Sequence, residues 1–147
     1  MPSISPIAEQ DFDALFEIEK AAHSIPWSLR TLKNNQGNNY FNLKLVWEGK
    51  IIGFAICQKV YDEATLFNLA IFPHYQGKGL GKYLLKYLLS ELRKQNILTL
   101  WLEVRASNKI AQNLYLYCGF NKVDIRRNYY PTVEGGREDA IIMACYL

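Results

Sequence analysis

An α/β (α+β) fold, with helices flanking one mixed sheet of about seven strands, is predicted by three observations. Seven runs rich in apolar, β-branched and aromatic residues are bounded by turn residues. Four other segments carry helical spacing or helix-start signals. Their order is strand, two helices, three strands in a meander, helix, strand, helix and two strands, which is the pattern of a sheet covered on its faces.

The elements follow in turn. Residues 3–7 alternate weakly as a short strand. Asp11 is placed to cap a helix reaching about His23, with Phe12, Leu15, Phe16, Ile18 and Glu19 at helical spacing. Pro26 interrupts it, and Ser28 caps a shorter helix ending near Asn34–Gly37. Residues 40–47 alternate, turn at Glu48-Gly49-Lys50 and continue as residues 51–61, a hairpin signal. A third strand, residues 64–72, stops at Pro73. After a glycine cluster, a helix over residues 79–95 aligns Leu80, Leu84, Leu85, Leu88, Leu89 and Leu92 on one stripe. Residues 99–104 form a short, nearly continuous apolar strand suited to a sheet centre. Asn108 opens a last helix, closed by Gly119, and residues 122–129 and 138–146 are strands around a loop at 131–136.

The length of 147 residues suits one domain with a substantial core. The net charge of +3, with no long Lys/Arg run, accommodates a polyanionic ligand and argues against direct nucleic-acid binding. Cys57, Cys118 and Cys145 lack metal-type spacing, and His23 and His74 stand apart, so no metal site is expected. No signal peptide or membrane-length apolar run is evident, which makes a reducing cytoplasm the expected location and a membrane partner unexpected.

Gln76-Gly77-Lys78-Gly79-Leu80-Gly81 is the most informative stretch. Glycines admit positive φ and close backbone approach, and a following helix start offers free N–H groups to an anion. The alternative is a plain tight turn. A Walker loop is excluded because Gly81-Lys82 precedes Tyr83, and a Rossmann fingerprint because Gly79 and Gly81 are only two apart.

Glu103 sits near a strand end among Leu100, Trp101, Leu102 and Val104. Partial burial there would suit a general base; an ion pair with Arg105 or Lys109, or a simple strand-end position facing solvent, is the competing reading. Tyr115 shares a helix face with Asn108 and Ala111 while Tyr117 points elsewhere; it is either a proton donor or a core aromatic. Asn108 is either a ligand contact or an ordinary helix cap. The segments His23–Ser28 and Arg126–Pro131 are either groove walls or loop and strand-end packing.

Gln76-x-x-Gly79-x-Gly81 after a strand, with Asn108-x-x-Ala111-x-x-Leu114-Tyr115-x-x-x-Gly119-Phe120 downstream, resembles the signatures of the GCN5-related N-acetyltransferases. Asp62–Asn68, Leu100–Asn108 and Arg126–Pro131 are similar to the branch that acetylates the N-terminal alanine of a small-subunit ribosomal protein. The resemblance covers essentially the whole chain. It implies the GNAT fold with a mixed, mostly antiparallel sheet, and a single N-acetyltransferase domain over residues 1–147.

The resemblance also implies roles. Acetyl-CoA is the co-substrate, and the N-terminus of a ribosomal small-subunit protein is the acceptor. Backbone groups of Leu69, Ala70 and Ile71 meet the pantetheine arm and polarise the thioester. Gly77, Lys78, Gly79, Leu80, Gly81 and Lys82 cradle the pyrophosphate, with Gln76 shaping the turn. Asn108 contacts the cofactor, Glu103 is the base and Tyr115 the acid. An α-amine with a pKa of about 7.7–8.0 must lose a proton before it attacks, and direct transfer needs no cysteine nucleophile. Action on another amine, such as a lysine side chain or polyamine, and a non-catalytic CoA-binding module are the alternatives. The Trp27 and Tyr129–Tyr130 segments are expected to border the peptide, with Glu63, Glu134 and Asp139 as carboxylates for a basic one.

Overall fold

The computed structural model describes residues 2–147. Seven strands form one sheet: β1 (Ser3–Pro6), β2 (Leu43–Trp47), β3 (Lys50–Val60), β4 (Glu63–Ile71), β5 (Thr99–Arg105), β6 (Asn121–Pro131) and β7 (Arg137–Tyr146). Their spatial order is β1-β2-β3-β4-β5-β7-β6. Every neighbouring pair is antiparallel except β4–β5. A parallel pair needs a long crossover, and α3 (Leu80–Lys94) supplies it. The other helices are α1 (Phe12–Ala22), α2 (Leu29–Asn34) and α4 (Lys109–Tyr117). The mixed, mostly antiparallel architecture expected from the sequence is the one observed.

Local chemistry explains most boundaries. Ser28 Oγ accepts the Thr31 N–H at 3.1 Å and caps α2. The β2–β3 hairpin turns through Glu48 and Gly49, both at positive φ as a tight two-residue turn requires. Two expectations need correction. The second strand begins at Leu43, not Tyr40, because Tyr40 makes only an isolated bridge to Gln58. Asp11 does not cap α1 with its side chain. Its Oδ2 instead accepts from the Ala8 N–H and the Lys44 ammonium, each at 2.7 Å, and ties the chain before α1 to β2.

Two cores lie on opposite faces of the sheet. On one face Leu84, Leu85, Leu88 and Leu92 of α3 pack with Leu100, Leu102, Val104 and Tyr115. On the other, Phe12, Leu15 and Ile18 of α1 and Leu32 of α2 pack on Phe54, Ile56 and Ala70. β5 therefore buries alternate residues, and Trp101, Glu103 and Arg105 face the α1 side. It does not have the two fully apolar faces that its near-continuous apolar sequence suggested.

The parallel pairing of β4 and β5 runs only from Glu63–Thr99 to Leu66–Leu102. At that point β4 carries a bulge: Leu66 pairs with Cys57 and Asn68 with Ile56, so Phe67 has no counterpart on β3. A bulge bends its strand and increases local twist. Beyond it β4 and β5 part, and the gap between them opens through the sheet.

β3 holds the parted end of β4 by close approach at Gly53, which opposes Ile71. A Cβ there would meet Ile71 Cδ1 at 2.6 Å and the Ala70 carbonyl oxygen at 2.9 Å. Gly53→Ala is expected to destabilise the fold by about 1–3 kcal/mol through overpacking, measured by urea unfolding.

Candidate active site

A cleft of about 540 Å³ occupies the gap. Its floor is Leu66–Leu69 of β4 and Leu102–Arg105 of β5, and Asn108, Ala111 and Tyr115 of α4 line it from one side. His23–Trp27 and Glu19 line it from the other, together with Tyr130 and Pro131. Ladder geometry decides which β4 backbone groups are available. The Phe72 N–H bonds the Ile52 carbonyl at 2.8 Å. Antiparallel ladders alternate, so Ala70 and Asn68 direct their backbone groups to β3, and Leu69 and Ile71 direct theirs into the gap. The side chain of Ala70 is also buried in the α1-side core. Of the three β4 residues expected to meet a cofactor, Leu69 and Ile71 offer backbone groups to the gap and Ala70 does not.

The glycine loop lies just beyond. Gln76 Nε2 donates to the Ile71 carbonyl at 2.9 Å and ties the loop to the strand end. Gly77 and Gly79 both have φ of +78°, with open space where a Cβ would lie. The first α3 bond is from the Tyr83 N–H to the Gly79 carbonyl, so the amides of Leu80, Gly81 and Lys82 have no partner within the helix. No acidic residue occupies its first turn. These amides and the positive end of the helix dipole fit a phosphate group. The Lys82 ammonium is drawn aside: it donates to Tyr117 Oη at 3.0 Å and sits 4.1 Å from that ring's centre. Lys82 thus presents its backbone to the loop. Lys78 is exposed beside it.

Asn108 does cap α4, its Oδ1 accepting the Ala111 N–H at 3.1 Å, and the residue also lines the cleft. Buried Gln112 donates to the Arg105 and Ala106 carbonyls at 3.0 and 2.9 Å. That clamp fixes α4, which carries Tyr115, against the end of β5, which carries Glu103.

Glu103 and Tyr115 reach the cleft from opposite faces of the sheet. Glu103 is half-buried, and its ion partner is Arg126 on β6, with Nε 2.6 Å from Oε2; neither Arg105 nor Lys109 takes that place. The contact is not aligned as a hydrogen bond, and Oε2 is shielded from water without a hydrogen-bond partner among the described residues. Tyr115 is buried, and burial raises its hydroxyl pKa well above the usual phenol value. Burial likewise pushes Tyr130 up to about 12, with the charge of Glu103 acting in the same direction. Both hydroxyls stay protonated at neutral pH. Tyr130 reaches the cleft because β6 bulges between Arg126 and Tyr130, with Asn128 at φ +53° and its N–H bonded to Asp139 Oδ1. Burial pushes the Cys57 thiol up to about 12, which leaves it inert as a nucleophile.

Of the carboxylates expected to meet a basic peptide, only Glu134 lines a groove, a smaller one adjoining Ser24, Ile25 and Arg105. Glu63 accepts from the Trp101 indole at 2.6 Å, and Asp139 is engaged by Asn128 and Arg127. The sequence reading missed Glu19, Asn68 and Gln112. Glu19 follows Ile18 on the apolar stripe of α1, and that misplacement of a charge was the available signal.

The sequence model of the Acetyltransferase (GNAT) family matches residues 2–120. This chain belongs to that family. It is 60% identical over 147 residues, the full length of both chains, to the [ribosomal protein bS18]-alanine N-acetyltransferase of Haemophilus influenzae. The crystal structure of the ribosomal-protein-S18-alanine N-acetyltransferase of Escherichia coli superposes with a TM-score of 0.96 at 54% identity, covering 99% of this chain and 94% of that one. An N-acetyltransferase of Thermoplasma acidophilum, solved in complex with coenzyme A, shares the fold at 21% identity and a TM-score of 0.82, over 100% of this chain and 99% of that one. The protein is thus a GNAT-family acetyltransferase. No helix among the described residues is long and apolar enough to cross a membrane.

Two outcomes are expected of this acetyltransferase. A side chain at Gly79 must adopt left-handed φ, so Gly79→Ala should cost about 1–2 kcal/mol in urea unfolding and raise KM for acetyl-CoA. Tyr130 ionises near 10.0 when unfolded and near 12 when folded. The unfolded chain therefore releases its proton first, and stability should fall as pH rises from about 10 to about 12. Denaturant midpoints across that range should decline, and Tyr130→Phe should flatten the decline.

Proposed function

We propose that this enzyme transfers the acetyl group of acetyl-CoA to the N-terminal alanine α-amine of a small-subunit ribosomal protein, with residues 1–147 acting as one catalytic unit. The full-length identity to relatives named for that reaction supports the substrate. The cleft supports the chemistry. A cytoplasmic location accords with an acceptor of that kind.

Acetyl-CoA supplies an activated acyl group and a thiol leaving group. The loop at 77–79 and the amides of Leu80, Gly81 and Lys82 fit its pyrophosphate, and Asn108, which lines the cleft, is assigned to contact the cofactor. The Leu69 and Ile71 N–H groups continue the β4 edge toward its arm and can hold charge developing on a carbonyl oxygen. Glu103 takes the proton of the incoming amine directly or through water. Tyr115, kept protonated by burial, hydrogen-bonds the departing sulfur and donates a proton to it, and the second proton lost by the attacking nitrogen restores the phenol through water. Because its pKa is high, this donor does not ionise in advance.

The observation that carries this reading is the shielded Glu103 Oε2, which has no hydrogen-bond partner in the cleft it shares with Tyr115. Glu103→Gln and Tyr115→Phe should each lower kcat by roughly 10²–10⁴ with little change in KM for acetyl-CoA. Full turnover in both variants would contradict the assigned roles. Mass spectrometry of a peptide panel should show acetylation of alanine-starting peptides at the α-amine and none when that amine is blocked. Labelling of internal lysines or of polyamines alone would overturn the acceptor class.

A further inference from the structure

The assigned chemistry leaves one buried charge in the cleft unused. Glu19 is 1% exposed. Its Oε1 accepts from Asn68 Nδ2 at 2.8 Å and its Oε2 from the Trp27 N–H at 2.9 Å. With donors on both oxygens, this is the hydrogen-bond set of a carboxylate. Among the described residues no Lys or Arg ammonium or guanidinium pairs with it; its one ionisable neighbour is His23, with Nε2 at 3.5 Å. By contrast, Glu103 pairs with Arg126 and Arg105 with Glu138. Glu19 is thus the acidic group in the cleft that lacks a fixed cation.

The arrangement of His23 follows from its neighbours. Nε2 lies 3.1 Å from Asn68 Oδ1 and faces Glu19 Oε1 as well. Both are acceptors, so Nε2 carries a hydrogen, and Nδ1 is the ring nitrogen left to accept. Asn68 cannot turn its amide round, because Nδ2 is committed to Glu19. The carboxylate therefore polarises an imidazole on the cleft wall. Asn68 opposes Ile56 of the α1-side core, so this wall belongs to the same sheet face as Glu103.

A buried carboxylate without a cation is costly, whereas a site that receives an ammonium gains from it. We propose that Glu19, Asn68 and His23 form the docking site for the positive charge of the acceptor's N-terminal ammonium, before Glu103 takes its proton. This rests on the N-terminal acetyltransferase reading. At neutral pH an α-amine of pKa about 7.7–8.0 arrives mostly protonated. Glu19 and Asn68 act through His23 as positioning residues, and the imidazole meets the ammonium.

Calorimetry on the CoA-loaded protein, which cannot turn over, tests the assignment with two alanine-starting peptides of one sequence. One has a free α-amine and the other an acetylated one. The wild type should prefer the free amine by about tenfold, in the range of a charge-assisted hydrogen bond. Glu19→Gln should remove most of that preference and leave affinity for CoA and the acetylated peptide unchanged. His23→Lys, which places a fixed cation on a partly exposed position, should do the same should Glu19→Gln fail to fold. Preference retained in a folded variant overturns the proposal, as does equal weakening of both peptides, which marks a structural role. If the wild type binds neither peptide, the underlying acceptor reading falls as well.

Discussion

The parting of β4 from β5 beyond Leu66 and Leu102 is the constraint on which the site depends. A parallel pair that stayed zipped would consume the β4 edge and close the sheet. The unmatched Phe67 bends β4 away, and β3 follows because Gly53 lets the strands approach closely. The same ladder that holds β4 on one side fixes which amides it offers on the other. Ordinary sheet chemistry thus turns the N–H groups of Leu69 and Ile71 away from β3, while Gln76 takes the Ile71 carbonyl, next to a helix start whose first amides have no partner within the helix.

The gap also separates the two halves of the reaction. Glycine loop, α3 start and Tyr115 belong to one face; Glu103, Asn68, Glu19 and His23 belong to the other. Two substrates approaching from opposite sides would meet only where the strands part, which is how a fold can supply orientation without a covalent intermediate. The relative placement of the two faces relies on polar clamps. Gln112 locks α4 to β5, and Gln76 locks the loop to β4. Neither clamp is itself part of the chemistry.

Local signals in the sequence carried the element order, the leucine stripe of α3, the Ser28 and Asn108 caps and the positive-φ glycines. Each depends on residues a few positions apart. Strand position and helix-face spacing made Glu103 and Tyr115 candidates, the family resemblance gave them roles, and the fold does bring them to one cleft. What could not be read locally depends on register between distant strands. The Glu103–Arg126 pair spans β5, β7 and β6, whereas the sequence suggested the nearer Arg105 or Lys109. Asp11 looked like a cap because helix starts attract carboxylates, but Lys44 arrives from β2 and claims it. Glu19 sat in plain view on an apolar stripe, and only its partners Asn68 and Trp27, brought in from elsewhere, show why a charge is tolerated there.

Amide hydrogen exchange resolved residue by residue along β4 reads the parted edge itself. Ala64 and Leu66, inside the paired segment, should be protected in the free protein. Leu69 and Ile71 should exchange quickly and become protected when CoA binds, with Ala70 slow throughout. Strong protection of Leu69 and Ile71 in the free protein, unchanged by CoA, would show that the β4 edge is not an open ladder and that the cofactor does not pair with it.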